Sequence, residues 1–441
     1  MGKSTFQGGI HPYEGKELSK DGLIQTVMPK DMVVFSMSQH IGAPATPVVA
    51  KGDSVKMGQI IGQASGFISA NIVSSVSGTV KAIEPRLLSS GNKATCVIVE
   101  NDGEYTPVEG LGEDRDYQNL SREEIRQIIK DAGIVGMGGA GFPTNVKVTP
   151  KNEDDIEYII VNGAECEPYL TSDYRLMMER PEEIIQGLRV LLSLFDHAKG
   201  VIAIEDNKMD AINKIQYLLE DDRDISVKKL KTKYPQGAER QVISVVTGRK
   251  IHSKMLPADA GCIVDNVQTM IAVYQAVCKS TPCMSRVVTV TGDAVAKGQN
   301  YEVKFGMSHA ELLEEAGGLK REAPKIISGG PMMGMAMYDL DTPITKTSSS
   351  ILAMSEDQVA EFEPTNCIRC GRCATVCPSR LVPQMMAEAV ERGDMDYFQK
   401  IHGMECYECG SCTYVCPAKR RLTQMFKKAR RAVMDASRKK A

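Results

Sequence analysis

The stretch Gly136-Met137-Gly138-Gly139-Ala140-Gly141-Phe142-Pro143-Thr144-Asn145-Val146-Lys147 satisfies G-x-G-x-x-G, and its flanks decide which fold it belongs to. A Rossmann fingerprint needs a strand before it and a helix after it. Ahead of this one, Ser121-Arg122-Glu123-Glu124 opens a capped helix that ends near Asp131-Ala132-Gly133. Behind it, Phe142-Pro143 does not continue a helix. The ordinary Rossmann reading is therefore rejected. The physical content survives: glycines let backbone N–H groups approach a phosphate or a flat ring closely. Lys147, six residues past the last glycine, supplies a countercharge.

Beyond the loop, helix and strand patterns alternate. Ile156 to Val161, Val201 to Ile204 and Ile225 to Leu230 read as strands. Pro181 to His197, Lys208 to Leu219, Gly237 to Val246 and Asn266 to Val277 read as helices, the first with proline in its opening turn. Such alternation predicts an α/β sheet. Toward the N-terminus, Val48 to Gly62 and Val73 to Ile83 are short apolar runs around a Lys51-Gly52-Asp53 turn. They resemble the barrel-sandwich hybrid of biotinyl and lipoyl domains. The hairpin tip, Ser65 to Ala70, lacks the carrier lysine, so this module is read as scaffold. Toward the C-terminus, Arg286 to Val295 and Lys325 to Pro331 resemble a soluble-ligand-binding β-grasp (SLBB) unit, closed by a polar linker from Thr342 to Ser350. The methionines between Met332 and Met337 read as core filler.

Eight of the thirteen cysteines form two runs of one spacing, Cys367, Cys370, Cys373, Cys377-Pro378 and Cys406, Cys409, Cys412, Cys416-Pro417. This is the ligand pattern of paired [4Fe–4S] clusters, in which the fourth cysteine serves the other cluster. One cluster is assigned to Cys367, Cys370, Cys373 and Cys416, the other to Cys406, Cys409, Cys412 and Cys377. Zinc also takes Cys₄ sites, but two runs matching in every spacing and in both prolines favour clusters. The 28 residues between the runs look helical, so an all-helical dicluster ferredoxin is predicted. Cys96, Cys166, Cys262, Cys278 and Cys283 have no ligand spacing and read as buried thiols.

A net charge of −3 over 441 residues leaves no general nucleic-acid footprint. No run approaches the ~18 apolar residues of a transmembrane helix, and no charged n-region followed by an apolar h-region signals export. The C-terminus is different. From Ala418 to Ala441, ten Lys and Arg face one acid, Asp435, while Leu422, Met425, Phe426, Ala429 and Val433 recur at helical intervals. A basic amphipathic tail points to an anionic membrane surface or an acidic partner; a solvated terminus is the plain alternative.

With Phe142 to Lys147 included, the glycine stretch resembles the flavin- and NADH-binding subunit of respiratory complex I, G-x-G-G-A-G-F-P-T-x-x-K. Three more blocks match: Asn162-Gly163-Ala164-Glu165-Cys166-Glu167-Pro168, Tyr234-Pro235-Gln236-Gly237-Ala238-Glu239 and Asp265-Asn266-Val267-Gln268-Thr269. The resemblance implies that Gly136, Gly138, Gly139, Lys147, Asn162, Asn266 and Thr269 hold non-covalent FMN. It places Glu165 and Phe142 beside NAD(H), with Glu165 as the catalytic positioning acid, and adds Glu167, Tyr234 and Glu239 to the cofactor set. Where this chain has Ala164, Ala238 and Asp265, that family carries an acid, an acid and Asn, which implies altered contacts. Glu165 and Glu167 can also be read as solvated acids at a strand end.

The order of modules is similar to that of the RnfC family, the peripheral subunits of ion-translocating ferredoxin:NAD⁺ oxidoreductases. The resemblance runs over nearly the whole chain. It implies a multidomain α/β protein: N-terminal extension 1–30, barrel-sandwich hybrid 31–112, FMN/NADH domain 113–283, β-grasp domain 284–341, helical dicluster ferredoxin 355–418 and basic tail 419–441. It further implies an electron relay between two [4Fe–4S] clusters, FMN and NAD(H). The relay would work with membrane-embedded and ferredoxin-like partners on the cytoplasmic face of the membrane. Two other readings stay open here, a microcompartment cobalamin reductase and a non-catalytic wiring scaffold.

Overall fold

The computed structural model describes residues 4–438. Lys439 and Lys440 of the basic tail, and the side chain of Arg438, lie outside the described residues. At the centre is a four-stranded parallel sheet in the order Ile225–Leu230, Lys199–Glu205, Tyr158–Gly163, Cys262–Asn266. Lys199–Glu205, Tyr158–Gly163 and Cys262–Asn266 are buried on both faces, as parallel strands covered by helices must be, whereas the edge strand Ile225–Leu230 exposes Ser226 and Lys229. Ile159, Val161, Ile202 and Ile204 face one core with the helices Pro181–Leu192 and Val267–Cys278. Ile160, Ala203 and Val264 face the other, with the helix Glu239–Thr247. All four strands point the same way, so the loops that follow Gly163, Glu205, Leu230 and Asn266 emerge at one edge. Ligands of open α/β sheets bind at that edge.

The N-terminal module is a pair of small antiparallel sheets around Val33, Phe35, Ile61, Ile72, Val97 and Val99. The β-grasp sheet has six strands, and two of them come from outside 284–341. Gln25–Val27 pairs with Gln299–Lys304, and Ser350–Met354 sits between Ser285–Thr291 and Lys325–Ser328. The stretch read as a polar linker is therefore buried structure. Lys346 Nζ donates to the carbonyls of Asn71 and Gly133, each at 2.6 Å, and so ties three modules together. The methionine run is not core filler: Met335–Met337 is an edge strand, and Met333 and Met335 are exposed.

The described residues beyond Met354 are helical where regular. The basic tail is part of this domain, not an appendage. Leu422–Arg438 is a helix whose Leu422, Phe426 and Ala429 pack on Leu381, Met386 and Phe398. The apolar stripe that suggested a membrane surface is buried inside the ferredoxin core.

Candidate redox site

The glycine loop closes on itself. Val135 bridges Pro143, and the Gly136 N–H donates to the Phe142 carbonyl at 2.9 Å. Thr269, at the start of Val267–Cys278, accepts the Met137 N–H at 3.0 Å and fixes the loop to the sheet edge. Gly138 lies so close to Asn266 that a Cβ there would stand 2.7 Å from the Asn266 side chain. Asn162 and Asn266 are register partners on adjacent strands. The Asn162 amide donates to the Gly237 carbonyl at 2.8 Å. Gly136, Gly138, Lys147, Asn162, Asn266 and Thr269 are thus brought to one place, with Gly138, Gly139 and Ala140 exposed at the lip.

Lys147 is not a free countercharge. Its ammonium donates to the Val264 carbonyl at 2.8 Å and to Asp265 Oδ1 at 2.9 Å. One of its three N–H groups remains. Burial would lower its pKa, but the carboxylates of Asp265 and Glu239 outweigh burial and hold it above the ordinary lysine value. Asp265 Oδ2, buried, has no hydrogen-bond partner among the described residues. An open glycine cradle, a spare lysine N–H and an orphaned acceptor fit a phosphorylated, hydrogen-bonding flat-ring cofactor such as FMN.

The acid loop after Tyr158–Gly163 differs from the solvated reading of it. Glu165 and Glu167 are not solvated. The Glu165 side chain is 3% exposed and accepts the Asp173 and Tyr174 N–H groups at 2.7 and 3.3 Å, capping the helix Ser172–Glu179. Burial pushes its carboxyl up to about 7, while Lys16 at 3.9 Å pulls the other way. Glu167, pushed up by burial to about 7, accepts the Met332 and Met333 N–H groups of the β-grasp domain. Tyr234 is engaged by the ferredoxin: its buried hydroxyl donates to the Cys409 carbonyl at 2.7 Å. Glu239 opens its helix near Lys147, and Phe142 is half-buried.

The cysteines form the two crossed sets. One recess is lined by Cys367, Cys370, Cys373 and Cys416, and a second by Cys377, Cys406, Cys409 and Cys412. The backbone repeats with the sequence. Arg369 and Glu408 take φ of 55° and 58°, and Arg380 and Lys419 take 57° and 50°. The Arg369 and Glu408 N–H groups point back to Cys367 Sγ and Cys406 Sγ at 3.4 Å. The two sets differ in setting. Cys367 and Cys370 are exposed, whereas Cys409 is buried against Tyr234, Ile10 and Cys166. Cys96, Cys262, Cys278 and Cys283 are buried thiols.

Sequence reasoning missed Lys16, Asp173 and the N-terminal strap that carries Lys16. Asp173 accepts the Asn266 amide at 2.6 Å. The only available signal was the Gly8-Gly9 and Gly15 punctuation around Ile10-His11-Pro12-Tyr13.

Family models match in the order the modules occur: an RnfC barrel-sandwich hybrid domain over residues 4–104, a Nuo51 FMN-binding domain over 129–275, an SLBB domain over 287–336 and a 4Fe–4S dicluster domain over 360–430. The fold is similar to chains of an NAD⁺-reducing [NiFe]-hydrogenase in its H₂-reduced and air-oxidised states. TM-scores are 0.51 and 0.52 at 18% and 20% identity, over 72% and 74% of this chain. This chain spans 63% and 65% of those hydrogenase chains, under two thirds. The RnfC-type component of the proton-translocating ferredoxin:NAD(+) oxidoreductase complex of Clostridium ljungdahlii is 42% identical over 90% of this chain and 86% of its own length. Its counterpart in the Na(+)-translocating ferredoxin:NAD(+) oxidoreductase complex of Acetobacterium woodii is 40% identical over 91% and 90%. The chain therefore belongs to the RnfC family of ion-translocating ferredoxin:NAD⁺ oxidoreductase complexes, and is an electron-transfer subunit with an FMN-binding and a 4Fe–4S dicluster domain.

Proposed function

We propose that the chain sets its redox centres in a fixed order. The thiolates of Cys367, Cys370, Cys373 and Cys416 stand outermost. Those of Cys377, Cys406, Cys409 and Cys412 come next, then the glycine loop with Lys147, and NAD(H) is received on the acid loop with Glu165 beside the nicotinamide. The observation that carries this order is the Tyr234 hydroxyl bond to the Cys409 carbonyl, which joins the flavin domain to the second thiolate set. Gln241, bonded to the Pro378 carbonyl and the Tyr407 hydroxyl, supports it from the same side. When bound, FMN exchanges a hydride with NAD(H) and single electrons with iron–sulfur clusters, which is why a flavin site belongs between the two.

The chain's own residues hold and orient. Lys147 offers its remaining N–H to the phosphate. Asn162, Asn266 and Thr269 shape the cradle, and Asp265 Oδ2 accepts from a ring or ribityl donor. Glu165 orients the carboxamide of the nicotinamide. No described helix is long and apolar enough to cross a membrane. Ion movement is accordingly assigned to membrane-embedded partners, with this chain docked peripherally on their cytoplasmic face. The exposed Cys367–Cys370 loop meets a ferredoxin-like partner, and the cationic face of Leu422–Arg438 meets acidic protein or anionic lipid.

The order is tested with Cys367→Ala/Cys370→Ala protein. NADH should still reduce the flavin and the remaining cluster, while ferredoxin-linked transfer in the assembled complex stops. Loss of NADH-driven reduction of the remaining cluster would reverse the order.

A further inference from the structure

Residues 8–19 run as a strap between the two redox domains. Near its start, the Gly9 N–H donates to the Val376 carbonyl at 2.8 Å, beside Cys377, and Ile10 exchanges backbone bonds of 2.9 Å with Tyr234. Farther along, the strap grips the acid loop. The Tyr169 N–H donates to the Glu14 carbonyl at 2.6 Å, and the Tyr13 and Tyr169 rings meet edge-on at 5.8 Å. Gly15, at φ 60°, lies so near the Tyr169 ring that a Cβ there would come within 2.5 Å. Lys16 is the fastening. Its ammonium donates to the carbonyls of Glu165, Glu167 and Leu170 at 2.9, 3.3 and 2.6 Å. It also stands 3.9 Å from the Glu165 carboxylate, with its side chain 12% exposed. Three donors meet three acceptors, so the ammonium is saturated.

The loop requires such a fastening. Glu165 and Tyr169 take φ of 47° and 70°, a left-handed conformation that side-chain-bearing residues keep only where their surroundings enforce it. Order then passes inward. The Glu165 carboxylate accepts the Asp173 N–H, the Asp173 carboxylate accepts the Asn266 amide, and Asn266 backs Gly138 of the cradle. This chain of contacts links the strap to the flavin loop without a gap.

We infer that Lys16 is a positioning residue for hydride exchange with NAD(H). It fixes the acid loop and the Glu165 carboxylate from the N-terminal strap, and touches neither cofactor itself. The inference rests on the assignment of Glu165 to the nicotinamide proposed above.

The test is stopped-flow reduction of the flavin by NADH in full-length, FMN- and cluster-loaded protein carrying Lys16→Met, Lys16→Arg, Glu165→Ala or Lys16→Met with Glu165→Ala. Lys16→Met should lower the limiting rate on the order of 10–100-fold, the scale of a misplaced reacting group. FMN content, iron content and the apparent NADH dissociation constant should stay near wild type. Lys16→Arg, which keeps a cation beside Glu165, should recover most of the rate. In the Glu165→Ala background, Lys16→Met should add little, because residues acting through one contact are not additive. If Lys16→Met sheds FMN, Lys16→Gln carries the same test, since it keeps a donor for the carbonyls. A wild-type rate in Lys16→Met, losses that multiply with Glu165→Ala, or no recovery in Lys16→Arg would overturn the inference. If Glu165→Ala alone leaves the rate unchanged, the Glu165 assignment falls and the inference with it. If Glu165→Ala slows reduction and Lys16→Met does not, only the role of Lys16 falls.

Discussion

The Asp265 side chain is fully buried, and among the described residues Lys147 at 2.9 Å is the one cation bonded to it. Removing one partner of such a pair strands a charge, at a cost of about 3–5 kcal/mol. Lys147→Ala should therefore destabilise the domain as well as weaken FMN binding by ~10–100-fold, the value of a lost charge-assisted contact. The two effects separate in Asp265→Asn protein, where no carboxylate is stranded. The amide puts an N–H₂ group where the open oxygen would accept from the flavin, so stability should hold while FMN binds more weakly than wild type in a fluorescence titration of the apoprotein. Tighter binding would mean that the open Asp265 oxygen is not a flavin ligand and that its charge only held Lys147 back from the phosphate. Glu167 makes a second expectation, this one in pH. Burial raises its carboxyl to about 7 in the folded protein, against about 4.5 when exposed. Below 4.5 both states are protonated. Between these values the folded state binds the extra proton, so the contact weakens as pH rises and its cost is complete above about 7. Protection of the Met332 and Met333 amides from hydrogen exchange should fall over that range. Glu167→Gln should flatten the profile. The chemistry of these residues was legible from the sequence, because cysteine spacing, glycine runs and paired acids name their own uses. Their partners were not: nothing near Glu167 announces Met332, and nothing near Tyr234 announces Cys409.

The helix Leu422–Arg438 shows what periodicity can and cannot say. Leu422, Phe426, Ala429 and Val433 recur at helical spacing, which marks a buried stripe but not what buries it. The ferredoxin core takes the stripe, so deletion from Lys419 onward removes core and not tail. Phe426 is 1% exposed. Phe426→Ala should cost about 3–5 kcal/mol, as aromatic core truncations usually do. It should show as lower iron and sulfide content after purification and an earlier thermal transition of the ferredoxin domain. The opposite face is free for charge: Lys428 and Arg431 are exposed. Lys428→Glu/Arg431→Glu should keep the iron and weaken partner or vesicle binding most at low salt, where screening is least. Equal binding at every salt concentration would move the dock elsewhere. The strands Gln25–Val27 and Ser350–Met354 were missed for a related reason. One is three residues long. The other follows Thr345, Lys346 and Ser348, polar residues buried where three modules meet. Composition reads such a stretch as linker because the partners that satisfy it lie hundreds of residues away.

Among the described residues, the hydrogen bonds from the flavin domain to the ferredoxin all fall on one side of it, that of Cys377 and Cys406. Glu405 is the polar centre of this contact. It accepts from Arg240 at 2.9 Å, from the Ser253 N–H at 2.8 Å and from the Ser253 hydroxyl. Tyr234, Gln241 and Gly9 bond the same half of the domain. A half-exposed ion pair adds little by itself, ~0–1 kcal/mol, and neutral hydrogen bonds add about 0.5–1.5 kcal/mol each. Glu405→Ala should therefore loosen the dock without unfolding either domain. Electron transfer between centres falls off exponentially with separation, whereas hydride exchange depends on the acid loop with its Lys16 fastening and on the cradle. The variant should consequently split the reaction in two. NADH should reduce the flavin at the wild-type rate, with iron content unchanged, while cluster reduction, followed by freeze-quench paramagnetic resonance, lags behind. Glu405→Gln keeps an acceptor for Ser253 and should lie between the two. If flavin reduction slowed in step with cluster reduction, the ferredoxin would be helping to build the dinucleotide site, and Glu405 would act through the strap and Tyr234 and not through distance.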